Sequence, residues 1–202
     1  KDPFGLRRQA LGVVRIAIGN EIDLDLKSLI SEAIELQPTQ ERPEDMCNQL
    51  YEFIIDRARA WYMDGQGPEQ ISAELFQAVR SRTPESLLDM QQRLHALADF
   101  TQLDAAASLA AANKRIANIL KSADQAVDTD VDPSLFAEDA ERELHSAVRG
   151  ILAAHNSDLA ARDYASALSR LAALRTPVDS FFDTVMVMAD DTKQRNNRLA
   201  QL

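Results

Sequence analysis

The periodicity of the apolar residues most constrains what this chain can fold into. Leu50, Ile54, Ala58 and Trp61 recur at three and four, the spacing that lines one face of a helix. Alternation of Val and Ile at period two, the mark of a half-buried strand, is absent, and alanine and leucine dominate. Only six glycines and seven prolines interrupt 202 residues, so the breaks are few and readable. A hydrophobic fraction of 46% supports a packed core and argues against wholesale disorder. The expectation is an all-α, multi-helix bundle of about ten helices with no fixed-period repeat.

Caps and breakers set the expected bounds. Helix one runs from about Pro3, with Asp2 as cap, to Ile18, and Gly19-Asn20 stops it. Leu26–Leu36 is the second, ended near Pro38, and Pro43 opens a third to Met63. The turn Asp64-Gly65-Gln66-Gly67 follows, then helices from Pro68 to Val79, Pro84 to Phe100 and Leu103 to Leu120. In the last of these, Leu103, Ala106, Ala110, Asn113, Ala117 and Leu120 share a face, and its alanines allow close packing. Asp124 to Glu143 carries eight acids and one base, and the acidic stretch about 124–133 reads as a loop or linker. Ser134 then caps a helix to about Ala154, followed by Asp158–Leu174, Pro177–Met188 and a last helix from Thr192.

Charge and composition narrow the function classes. With 22 basic and 32 acidic residues the net charge is −10, which opposes non-specific coating of DNA. A local basic surface that reads a few nucleotides is still compatible with it. A single cysteine, Cys47, excludes an internal disulfide framework and a cysteine zinc knuckle. The three scattered histidines argue against a histidine-rich metal site. No apolar run approaches a membrane span, and no signal peptide is read, so the expected location is cytoplasmic. The chain opens in Lys-Asp-Pro-Phe without an initiator Met, which reads as a fragment of a longer protein.

Catalytic constellations are weak. Gly65-Gln66-Gly67 lacks a preceding strand and a third glycine, so it is a helix connection rather than a phosphate loop. Cys47 with His95, His145 or His155 has no local context as a nucleophile and base, and the acidic run lacks the calcium-loop glycine and terminal Glu. No catalytic or metal-binding residue is assigned. Two polar, basic segments stand out instead. In the first, Lys114, Asn118 and Lys121 are four and three apart and line one helical face, flanked by Asn113 and Arg115. Such a ridge can hold RNA phosphates with Lys and Arg and base edges with Asn, or can simply complement the helix dipole. In the second, Lys193–Leu199, Arg195 and Arg198 flank Asn196 and Asn197. The structural alternative is pairing of these arginines with Asp183, Asp190 or Asp191. Phe181, Phe182, Val185 and Met188 read as core at helical spacing.

Four stretches in order carry a resemblance. Asp2–Ile16 reads DPFGLRRQALGVVRI, Phe53–Arg57 reads FIIDR, and Ala111–Leu120 reads AANKRIANIL. Leu171–Asp191, followed by Arg195-Asn-Asn-Arg-Leu-Ala, completes the set. Together they resemble the beta subunit of bacterial tetrameric glycyl-tRNA synthetase, toward its C-terminal end. The resemblance implies a helical, DALR-type anticodon-binding region over residues 26–202, with residues 1–25 as the edge of a preceding HD-like domain. It implies a role in binding glycine tRNA, with the alpha subunit of an alpha2-beta2 tetramer as partner. That alpha subunit would use ATP and magnesium to attach glycine, leaving this fragment without cofactor or catalysis of its own. The literal Asp-Ala-Leu-Arg quartet is absent. Arg7 and Arg8 are expected as structural remnants of the preceding part.

The tRNA-binding set expected from these readings is Asn113, Lys114, Arg115, Asn118, Lys121, Arg195, Asn197 and Arg198. The rival is a structural or assembly module that does not read the anticodon. Clustering of the cations on one exposed face favours RNA, and burial in ion pairs favours scaffolding.

Overall fold

The computed structural model of the chain describes residues 2, 4–38, 43–67, 71–123 and 130–202. Among them the α-helices are α1 (Leu6–Gly19), α2 (Leu26–Glu35), α3 (Met46–Met63), α4 (Ala73–Arg80), α5 (Leu87–Thr101), α6 (Asp104–Ser122), α7 (Asp139–Ala160), α8 (Tyr164–Ala172), α9 (Arg175–Thr184) and α10 (Thr192–Ala200). A 3₁₀ turn spans Pro133–Leu135, and no strand forms among the described residues. The all-α expectation therefore holds. The chain divides into two compact units, Lys1–Ala98 and Asp99–Leu202. This division differs from the expected boundary at residue 25, because α1 supplies Val14 and Ile18 to the same core as α2 and α3.

In the first unit α3 packs against α1, α2 and α4. Its buried residues are Tyr51, Ile55, Ala58, Trp61 and Tyr62, whereas Leu50 is exposed and Ile54 half-buried. The inward stripe is thus rotated from the expected one, because the tyrosines bury their rings and find partners for their hydroxyls. Tyr51 donates to the Pro84 carbonyl at 3.0 Å. Side-chain caps set the starts of α2, α4, α8 and α10. Asp2 accepts from the Leu6 and Arg7 amides at 2.9 and 3.0 Å, but α1 opens at Leu6 behind Gly5 in the N-cap position, not at the expected Pro3 with Asp2 as its cap. Asp25 caps α2 through the Ser28 amide at 3.0 Å, and Ser72 caps α4 through Leu75 at 3.2 Å. Pro3 and Pro68, expected to open helices, lie outside the described residues.

In the second unit α7 packs on α8 and α9, and α6 packs on α9 and α8. Phe181 is fully buried among Ala140, Leu144, Val185, Val187 and Leu199. Three expectations are corrected here. Ser134 does not cap α7; it sits in the 3₁₀ turn, its amide bonded to Asp132 at 2.9 Å. The α7 start is instead a reciprocal capping box between Glu138 and Glu141, and the helix continues through Asp158 to Ala160. The next cap is Asp163, which accepts from the Ser166 amide at 3.0 Å. Helix α9 ends at Thr184, so Val185 and Met188 are not helical. Val185 and Val187 are buried while Met186 and Met188 are exposed, so the valines and not the methionines enter the core. Asp124 and Asp128 of the acidic run lie outside the described residues.

Candidate nucleic-acid interface

Helix α6 presents the first basic segment to solvent. Its buried residues are Ala106 and Ala112, and Ile119, Leu120 and Ala123 pack against the core. Leu103, Ala110, Asn113 and Ala117, expected on the packed face, are exposed. The expected face was misplaced because alanine marks neither side of a helix decisively. The actual register leaves Asn113, Lys114, Asn118 and Lys121 exposed together on consecutive turns. Asp104, at the opposite end, is the only acid in the helix. Among the described residues Lys114 and Lys121 make no ion pair, so their ammonium groups are free to meet an anion. Arg115 is also exposed, but its guanidinium carbon stands 4.4 Å from the Phe182 ring centre of α9. That stacking fixes the side chain while leaving its edge donors available.

The second basic segment behaves differently. Asp191 caps α10 through the Gln194 amide at 2.8 Å. Arg195 turns back on its own helix start, donating to the Ala189 carbonyl at 3.1 Å and Thr192 Oγ1 at 3.3 Å. Asn197 is buried and pairs both ways with the backbone of Asp132: Oδ1 accepts its amide at 2.7 Å and Nδ2 donates to its carbonyl at 3.0 Å. Arg198 is buried against Glu141, with side-chain exposures of 7% and 1%, too little for either to reach a polynucleotide. Its Nε and Nη2 donate to the two carboxylate oxygens at 2.9 and 3.3 Å, and Nη1 donates to the Met186 carbonyl at 2.9 Å. Asn197 and Arg198 are therefore corrected from RNA-contacting residues to residues that tie α10 to the rest of the unit. The acid that pairs with Arg198 is Glu141, not Asp183, Asp190 or Asp191.

Glu141 is the hub of that tie. Its Oε2 also accepts the Ala137 and Glu138 amides at 2.9 and 2.8 Å. Burial pushes its carboxyl up, but the Arg198 hydrogen bonds and the two amides outweigh this and hold it below its ordinary value. Nothing in the sequence pairs position 141 with position 198, since Glu141 stands inside an acidic run like its neighbours.

The same unit contains a cavity of about 280 Å³ lined by Asp130, His145, Val148, Arg149 and Gln201 among others. His145 packs against Phe136 at 5.4 Å between ring centres, and Gln201 Oε1 is buried without a hydrogen-bond partner. The guanidinium and the imidazole on this wall can pair with a base edge. The sequence signal for it was slight: His145 and Arg149 are four apart on α7. Among the described residues no helix is long and apolar enough to cross a membrane, and no group of three or more His, Cys, Asp or Glu could hold a metal ion.

Comparison with known proteins adds to this geometry. Residues 1–81 match the family model described as glycyl-tRNA synthetase beta subunit, and residues 109–202 match the DALR anticodon binding domain. Over 202 residues the sequence is 46% identical to the glycine–tRNA ligase beta subunit of Pseudomonas aeruginosa strain LESB58, covering 100% of this chain and 29% of that protein. It is 45% identical over 201 residues to the protein of the same name from Aliivibrio fischeri strain MJ11, with 100% and 29% covered. For the Coxiella burnetii beta subunit the identity is 43% over 203 residues, again with 100% and 29% covered. The chain thus spans about a third or less of these relatives' length.

Proposed function

The chain belongs to the glycyl-tRNA synthetase beta-subunit family, and from that premise we propose that its second unit binds the anticodon arm of glycine tRNA. The carrying observation is the exposed Asn113, Lys114, Asn118 and Lys121 face of α6, inside the stretch that matches the DALR anticodon binding domain. The work of this segment is binding. Lys114 and Lys121 hold backbone phosphates, Arg115 adds a third cation from its seat on Phe182, and Asn113 and Asn118 offer donor–acceptor pairs to unstacked bases. Arg195, half-buried, contributes at the margin. In the assembled enzyme an alpha subunit, using ATP and magnesium, would attach glycine to the tRNA that this segment holds. An alpha2-beta2 assembly in the cytoplasm, with no resident cofactor in this segment, completes the reading.

A second reading, an assembly module that reads no anticodon, draws support from the burial of Asn197 and Arg198. One titration separates the two. The chain is titrated with a glycine-tRNA anticodon stem-loop and with an anticodon-swapped loop at two salt concentrations. Anticodon reading predicts preference for the cognate loop and weakening with salt, because each phosphate contact releases counterions. Equal and salt-insensitive responses to both loops would favour the assembly module.

A further inference from the structure

We propose that the first unit carries a separate binding site for a phosphate group, in a cavity between α1 and α3. The cavity measures about 180 Å³ and is lined by Arg7, Arg8, Arg57, Trp61, Asp64 and Gln66, among others. Three guanidinium groups against one carboxylate give this wall a positive balance in a chain of net charge −10. Two further donors belong to residues of this wall. Arg57 Nε and Trp61 Nε1 are both buried and have no hydrogen-bond partner. Trp61 as a whole is 9% exposed, so its indole N–H lies beneath the wall and not on its surface. Indole N–H and guanidinium N–H groups can only donate, so beneath the wall they add to its positive character.

The surroundings hold these groups in place. Arg57 and Trp61 lie four apart on α3, and the Arg57 guanidinium carbon sits 5.5 Å from the Phe53 ring centre. Arg8 folds against Gly5, where a Cβ would stand 3.3 Å from its Nη2. Gly5 itself has φ of +67°, a conformation that disfavours any larger residue. Arg15 donates to Gln66 Oε1 at 3.5 Å, which leaves the Gln66 amide nitrogen as a further donor. A tetrahedral phosphate presents several acceptor oxygens to such a fork of donors, and arginine binds it in bidentate fashion. This assigns Arg7 and Arg8 a ligand role that the sequence alone did not suggest.

Trp61 is the only tryptophan in the chain, so its fluorescence reports on the site directly. The intact chain is titrated with inorganic phosphate at ionic strength held constant with chloride, and separately with a glycine-tRNA transcript. The expected result is a saturable change in Trp61 emission with phosphate, weakened about tenfold or more by Arg57→Gln. Arg57→Lys should recover part of it, and Arg7→Gln, at an exposed position, weakens it without touching the core. If the transcript also changes the emission and phosphate competes with it, the bound group is a backbone phosphate. If only inorganic phosphate acts, the site takes a free phosphate. A response that is absent, non-saturable, or the same in Arg57→Gln and Arg7→Gln as in the parent overturns the proposal. The combined Lys114→Ala and Lys121→Ala variant leaves the inorganic phosphate response unchanged, which separates this site from the α6 face.

Discussion

Lys114 and Arg198 show how one residue type by charge can do opposite work. Lys114 is solvated on α6, whereas Arg198 is enclosed with Glu141. Removing one partner of a buried ion pair strands the other charge and typically costs about 3–5 kcal/mol. Arg198→Ala should therefore lower the urea unfolding free energy by about that amount, and an unchanged midpoint would show that the pair contributes little. Lys114→Ala and Lys121→Ala should each alter stability by no more than about 0.5 kcal/mol, as exposed substitutions do. The same two variants should weaken anticodon-loop binding and flatten its dependence on salt. For a single-stranded target each lost phosphate contact should reduce the log–log salt slope by about 0.7. Loss of stability without loss of salt slope would assign these lysines a structural role.

At the scale of the element, capping decides where helices begin more firmly than proline does. Pro43 and Pro84 stand before α3 and α5, but those helices start at Met46 and Leu87. Ser72, Asp25 and Asp163 each accept an amide of the first turn, which fixes the starts of α4, α2 and α8. Ser72→Ala should destabilise the first unit by about 1 kcal/mol, read as a lower thermal midpoint, while Ser72→Asp should largely preserve it. Equal midpoints for Ser72→Ala and the parent would mean that packing of Phe76 and Val79 alone sets this helix. Much of this level was legible in the residues: the helix order and the stops at Asn20 and Asp64 were readable. The starts of α7 and α8 and the end of α9 were not. Ser134 and Asp158 look like caps in sequence, and only packing decides that Glu138 and Asp163 are used instead.

At the scale of the molecule, Glu141 is one of several carboxyls whose lowered titration ties folding to pH, with Asp25, Glu74, Asp132 and Asp163, and it is the buried one. An ordinary glutamate carboxyl titrates near 4.5, and this one lies lower in the folded state. The unfolded chain therefore takes up its proton first as pH falls. The stabilisation is complete above the ordinary value and is lost as pH drops through the lowered one. Unfolding midpoints of the parent should be flat from neutral pH down to mildly acid conditions and then fall. Glu141→Gln should start from a lower plateau and fall less steeply, and parallel curves for the two would remove Glu141 as the cause.

Helix class, helix order, the family resemblance and the two basic segments are written in local sequence, because period, caps and breakers act over a few residues. Which of those basic residues face water is not, since it depends on helix rotation and on partners far along the chain. Alanine-rich α6 could have turned either way, and its contacts with α8 and α9 chose the rotation that exposes Asn113, Lys114, Asn118 and Lys121. Glu141 and Arg198 meet across 57 positions, and Asn197 reaches back 65 to Asp132. Arg7 and Arg57 likewise come to one cavity only because α1 packs on α3. A buried charge must find its counter-charge in three dimensions, and that pairing has no period to read.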